Sequence, residues 1–120
     1  MSTPMTETDL LRTLQLAATQ QGLRLFRNNT GQLQDARSGQ IVRFGLCTGS
    51  SDLIGWTPLV ITPAHVGRTL AIFTAVEVKT PTGRVRPAQA QFIDTVQHAG
   101  GIATLARSLD DLTTALRHQP

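Results

Sequence analysis

The run RTLAIFTAVEVK, residues 68–79, constrains the fold of this chain more than any other stretch. Rich in β-branched and apolar residues, it reads as a long strand, and a strand must pair, so the chain has to build a sheet around it. Side chains on a strand alternate faces with period two. Glu77 and Lys79 therefore share one face while Val76 and Val78 share the other. Two readings of that pair stand side by side. One is a half-exposed strand whose same-face ion pair contributes about 0–1 kcal/mol; the other is a strand edge that carries chemistry.

The surrounding elements alternate between helix and strand. Residues 6–21 have Leu10, Leu11, Leu14, Ala17 and Ala18 at helical spacing, with Thr6 and Asp9 set as in a capping box and Gly22 as a stop. Residues 23–27 and 40–45 alternate like strands, and the stretch NNTGQLQDARSG between them reads as turn. A short strand is expected around Asp52, a further one at PLVIT (58–62), and then the long run at 68–79. After the turn TPTGR, Pro87 stands where the first position of a helix belongs; Phe92, Ile93, Val96 and Ala99 mark its buried stripe, and Gly100–Gly101 ends it. Residues 102–106 read as a buried strand, and Ser108 caps a last helix carrying Leu109, Leu112 and Leu116.

Those elements fit one domain spanning residues 1–120, since this length with 40% hydrophobic residues supports one core. No apolar run approaches the roughly 18 residues that span a bilayer, and the N-terminus has no basic segment followed by an apolar one. A soluble, intracellular protein with no membrane partner is expected. The single cysteine, Cys47, excludes an internal disulfide and a Cys-rich zinc site, and a small buried thiol is its expected role.

Charge is unevenly spread. Residues 24–86 hold eight Lys and Arg against three acids, whereas the flanks are net negative. A basic centre suits a polyanion such as nucleic acid. With four Phe, one Trp and no Tyr, platforms for base stacking are poorly supported, and contact with phosphates fits better. Arg27, Asn28, Arg84 and Arg86 are the candidates, since arginine offers a planar fork to phosphate oxygens. TPTGR holds one glycine and no P-loop pattern. His65, His98 and His118 lack ligand spacing and are expected on the surface, and Trp56 is expected to pack behind the Asp52 strand.

A third acid sharpens the question raised by Glu77 and Lys79. In GSSDLIG, residues 49–55, two glycines bracket Asp52 and let the backbone bend sharply around it. An aspartate, then a glutamate and a lysine two apart on a strand, is a residue set suited to metal-dependent phosphodiester cleavage. Carboxylates hold a hard cation such as Mg²⁺, which lowers the pKa of a bound water, while lysine steadies the nucleophile or the developing charge.

These residues resemble the stand-alone VRR-NUC domains, a branch of the PD-(D/E)xK nuclease superfamily. The resemblance runs through RNN, GSSDLIG, VEVKTPTGR, PAQAQF and GGIATLARSLDDL, in that order, and so covers nearly the whole chain. It implies an α/β, restriction-endonuclease-like core: a central mixed β-sheet flanked by α-helices in αβββαβ order, with an extra C-terminal helix. It implies that Asp52 and Glu77 are metal ligands, Lys79 the catalytic lysine and Gln89 the active-site glutamine, with the Val78 carbonyl as a further metal ligand. Ser51 stands where this branch usually has proline, and Arg86 where a serine often caps the helix.

The family also uses a glutamate on its first helix. At 100° per residue from Glu7, Leu11, Leu14 and Ala18 fall at about 40°, 340° and 20°, and Asp9 at about 200°. Glu7 thus lies on the apolar stripe. It is either a first-turn acid favoured by the helix dipole or an acid aimed at a polar site, and the resemblance selects the second.

The expected function is a Mg²⁺- or Mn²⁺-dependent DNA endonuclease, cytoplasmic in a bacterial or phage-infected cell. The alternative is a nucleic-acid-binding module of the same fold without cleavage. A small-molecule-binding domain would leave the basic centre unexplained. Stand-alone relatives imply a homodimer acting on branched DNA such as four-way (Holliday) junctions, because two copies can face related strands of a two-fold symmetric junction.

Overall fold

The computed structural model describes residues 5–117; His118 lies outside them. The chain separates into two compact units, Met1–Thr57 and Pro58–Pro120. Together they hold three α-helices and small antiparallel and parallel sheets, the α/β composition expected of a restriction-endonuclease-like fold.

In the first unit, helix α1 (Glu7–Gln20) starts where Thr6 Oγ1 accepts the Asp9 N–H at 3.1 Å. It ends at Gly22, whose φ of +86° is one that side chains disfavour. There the Leu23 N–H reaches the Ala18 carbonyl at 2.9 Å and the Gly22 N–H reaches Thr19, so the last carbonyls are satisfied as the chain turns. Ala18 is the buried residue of the helix, and Gln15 Nε2 donates to the Leu25 carbonyl at 2.9 Å. That bond ties α1 to β1 (Arg24–Arg27), which pairs antiparallel with β4 (Leu53–Trp56). Gly55 opposes Leu25 at a point where any Cβ would collide with the Arg24 carbonyl, so the second glycine of GSSDLIG permits the strand contact itself. Phe26 and Trp56 stack obliquely at 5.5 Å between centroids, the packing expected of Trp56.

β2 (Gly31–Gln34) and β3 (Ile41–Phe44) form a separate antiparallel hairpin. Its register sets Leu33 opposite Val42 and Gly31 opposite Phe44, an apolar face that is nevertheless exposed. Residues 31–34 were expected as turn. The turn is shorter: Asp35 Oδ1 accepts the Arg37 N–H at 2.8 Å and the Gly39 N–H returns to the Asp35 carbonyl, so closure within 35–40 frees 31–34 to pair.

The second unit is built on β5 (Thr74–Val78), parallel to β6 (Ile102–Ala106), with helix α2 (Pro87–His98) as the crossover and α3 (Leu109–Arg117) after it. Val96, 1% exposed, anchors this core with Ile102, Ala103 and Ala106. α2 ends as α1 does, with Gly100 at φ +93° and the Gly101 N–H on the Val96 carbonyl. Ser108 Oγ accepts the Asp111 N–H at 3.2 Å, as its expected cap role requires.

Two expected strands differ. PLVIT is not a strand: Val60 and Ile61 are 85% and 70% exposed, prolines bracket the segment, and it leads into a 3-10 turn at Pro63–His65. The long run pairs only from Thr74, because β6 offers five partners and begins after the glycines that stop α2. Five strands precede α2, as many as the residue patterns predict, with Gly31–Gln34 pairing in place of PLVIT; the αβββαβ order of the family names three of them, and the mixed pairing is distributed over three two-stranded ladders among the described residues.

Candidate functional site

The two faces of β5 are inverted relative to an ordinary amphipathic strand. Ala75, Glu77 and Lys79 are half-buried, while Val76 and Val78 are exposed, Val78 at 75%. Lys79 Nζ lies 3.3 Å from Glu77 Oε1, with their side chains 17% and 31% exposed. Burying a valine contributes about 1.5–3 kcal/mol, more than the roughly 0–1 kcal/mol of a solvated ion pair. Folding energetics alone would turn this strand over.

The backbone at this point is also placed for chemistry. The Lys79 N–H donates to the Ala106 carbonyl at 3.1 Å and the Phe73 carbonyl accepts from Ile102, so odd-numbered residues direct their peptide groups to β6. Backbone direction alternates along a strand, which turns the Val78 carbonyl to the opposite edge, where no described strand pairs. A carbonyl there can serve as a ligand instead of a ladder partner.

Beyond β5, the Thr80–Gly83 turn is closed by the Gly83 N–H on the Thr80 carbonyl at 3.1 Å. Arg107, directly after β6, sends Nη1 to the carbonyls of Thr80 (2.6 Å), Gly83 (2.8 Å) and Pro81 (3.3 Å). Arg84 and Arg86 follow the turn and are exposed. Gln89, half-buried in the first turn of α2, accepts the Arg86 N–H on Oε1 at 2.9 Å. This is the N3-to-cap half of a capping box, and it leaves Nε2 as the end of the amide that can donate.

In the first unit Asp52 is exposed and immediately precedes β4. Its loop is held by Asn28. The Asn28 Nδ2 donates to Ser50 Oγ at 2.7 Å and to the Ser51 carbonyl at 3.0 Å, Oδ1 accepts the Leu46 N–H at 3.0 Å, and the Asn28 N–H donates to the Asp52 carbonyl at 2.9 Å. The amide expected at a phosphate is thus engaged inside the protein, because its donors and acceptor match the loop backbone. The departure at Ser51 leaves this intact, since a proline would present the same carbonyl. Arg27 is exposed, its Nη2 on Asn29 Oδ1 at 3.2 Å.

Glu7 is the first residue of α1 and is exposed; the covered stripe of the helix runs through Leu11, Gln15 and Ala18 further along. Cys47 is exposed, not the buried thiol expected, because it sits in a tight turn whose backbone is bonded to Ser50. His65 is half-buried with Nδ1 accepting the Thr62 N–H, and His98 is exposed with Nδ1 2.8 Å from the Asp94 carbonyl. Both serve local turns.

The expected metal ligands are oxygen donors throughout, two carboxylates and a backbone carbonyl with Glu7 as a third carboxylate, which is the donor chemistry of Mg²⁺ or Mn²⁺. Glu7 and Asp52 belong to the first unit, Glu77 and Val78 to the second. Among the described residues, no group of three or more His, Cys, Asp or Glu is gathered closely enough to hold a metal ion. Also among them, no helix is long and apolar enough to cross a membrane.

Sequence reasoning named the charged residues but missed the two that hold their backbones. Asn28 had been assigned outward, and Arg107 lay in the acidic flank with no motif to single it out.

Compared with known protein families, the chain matches the family described as the VRR-NUC domain over residues 5–110, from α1 to the start of α3 and through both units. No curated protein and no solved structure matches it.

Proposed function

Because the chain belongs to the VRR-NUC domain family of PD-(D/E)xK nucleases, we propose that it is a divalent-metal-dependent DNA endonuclease, with residues 1–120 as one nuclease domain. The observation that carries this reading is the inverted β5, whose half-buried Glu77–Lys79 pair has a cost in folding that catalysis explains.

In this reading Asp52, Glu77, Glu7 and the Val78 carbonyl would hold Mg²⁺ or Mn²⁺. When bound, such an ion polarises the phosphate and lowers the pKa of water. Lys79, beside Glu77, steadies the attacking oxygen and the negative charge that develops on the phosphoryl oxygens. Water's oxygen forms the new bond to phosphorus, the bond to the bridging oxygen breaks, and that oxygen leaves with a proton. Gln89 orients the site through Nε2, its Oε1 being pinned by the Arg86 N–H. Arg27, Arg84 and Arg86 contact phosphates, and Asn28 contributes to the DNA-binding side by shaping the Asp52 loop.

The substrate is branched DNA, with four-way junctions preferred, and the working form is a homodimer whose paired sites face related strands of the two-fold symmetric junction. Cleavage of labelled junction, fork and linear duplex with Mg²⁺, with Mn²⁺ and with EDTA tests the reading, alongside light scattering for the dimer. Metal-dependent nicks that favour the junction are the expected result. Binding without cleavage under every condition would assign the chain to a non-catalytic module instead.

A further inference from the structure

We propose that Arg107 is a positioning residue for Lys79, holding the Thr80–Gly83 turn over the lysine stem so that the ammonium stays at Glu77; this rests on the reading of Lys79 as the lysine of cleavage. Arg107 lies within GGIATLARSLDDL but is assigned no site role by the resemblance, and its guanidinium is engaged by the protein's own backbone. Nη1 carries two hydrogens, and the short contacts to Thr80 and Gly83 account for both, with Pro81 sharing at longer range. A cation bound to neutral carbonyls makes charge-assisted bonds stronger than neutral ones.

The turn so held lies against Lys79. A Cβ placed on Gly83 would sit 3.5 Å from both Cβ and Cδ of Lys79, which puts the Gly83 backbone alongside the aliphatic stem. The base of the lysine is fixed too, since its N–H is bonded to Ala106, the residue before Arg107. Arg107 is itself anchored, its N–H donating to Asp111 Oδ2 at 2.8 Å in the first turn of α3. Ala106, Arg107 and Asp111 thus connect the end of β6 to the backbone and stem of Lys79. A lysine carries four rotatable bonds, and an ammonium half-buried at 3.3 Å from a carboxylate needs most of them fixed. Lysine at position 107 would retain the charge, but its Nζ stands one bond nearer the backbone than Nη1 and would fall short of the positions from which Nη1 reaches Thr80 and Gly83.

The experiment uses the full chain with Arg107→Lys and Arg107→Gln, and with Lys79→Ala beside them. Single-turnover cleavage of a DNA junction, substrate affinity, thermal melting and hydrogen exchange at the Gly83 amide are measured. Misplacing a catalytic group by about 1 Å lowers rates on the order of 100-fold. The expected result is a kcat lowered about 10- to 100-fold in both Arg107 variants, with affinity within about twofold of wild type, faster exchange at Gly83 and unchanged exchange at Val96. Weakened affinity with kcat preserved would make Arg107 a phosphate contact and overturn the proposal. Faster Gly83 exchange with wild-type kcat would also overturn it, by showing that the turn does not govern Lys79. Wild-type cleavage by Lys79→Ala would instead remove the reading beneath it, an outcome visible without any Arg107 variant.

Discussion

The Asp52 loop and the end of β5 meet similar chemical demands by different means. Asp52 is exposed on a loop that one neutral residue, Asn28, organises through three bonds of its side-chain amide and one of its backbone N–H. Glu77 and Lys79 are half-buried on a paired strand, and a cation, Arg107, fixes the turn beyond them. In the proposed reading, the difference shows where each unit bears the cost of function. The first unit keeps its acid solvated, so its cost is the ordering of a loop. The second partly desolvates two charges and exposes valines in exchange.

Removal of the charged groups themselves should have the largest effect. Lys79→Ala and Asp52→Asn are expected to slow cleavage about 10³-fold or more while DNA affinity survives, since arginines supply the phosphate contacts. Gel cleavage and fluorescence anisotropy on the same preparations check this. Wild-type rates from either variant would remove that half from the comparison.

The supporting groups come next. Asn28→Ala removes the acceptor of the Leu46 N–H and the donor to Ser50 Oγ and the Ser51 carbonyl, and a hydrogen bond contributes about 0.5–1.5 kcal/mol net. A lower denaturation midpoint together with reduced cleavage is expected. The salt dependence of binding should stay that of wild type, because the amide faces inward. A shallower salt slope would return Asn28 to the phosphates.

The inverted strand offers a sharper contrast. Replacing both Glu77 and Lys79 by leucine should abolish cleavage yet leave the protein at least as stable as wild type, since exchanging a desolvated ion pair for apolar side chains is commonly neutral or stabilising. Urea denaturation decides it. A large loss of stability would mean that the pair is there to hold the fold.

On the first helix, Glu7→Gln should reduce metal-dependent cleavage, while Asp9→Asn should leave it intact and cost about 0.3–1 kcal/mol of helix-dipole stabilisation. Equal activity of both variants would make Glu7 a dipole residue only.

The helix ends and the candidate residues of this chain were more legible than its sheets. Glu77, Lys79 and Asp52 are marked by spacing, and Thr6, Gly22, Pro87, Gly100 and Ser108 mark helix ends through local bonds that a sequence reveals. Strand boundaries depend on partners. RTLAIF is as strand-like as TAVEV, yet only the latter has β6 beside it. GQLQ became a strand because the Asp35 turn brought β3 opposite. The roles of Asn28 and Arg107 were hidden for the same reason, since both bind backbone that lies distant in the sequence.

The smallest expected effect lies in that hairpin. Backbone N–H groups of Arg37 and Ser38 hold the Asp35 carboxyl below its ordinary value. A lowered folded-state pKa contributes stability that is present above the unfolded value of about 3.9 and lost as pH falls through the folded one. Cross-strand amide signals of β2 and β3 should therefore weaken below about pH 4, and Asp35→Asn should remove that dependence. An unchanged acid profile would contradict it.

The most direct test of the central claim is cleavage of one labelled four-way DNA junction by wild type and Lys79→Ala, each with Mg²⁺, Mn²⁺ and EDTA. The account predicts nicks from wild type with metal and none from the variant or in EDTA. Equal cleavage by the two proteins, or cleavage that persists in EDTA, would contradict it.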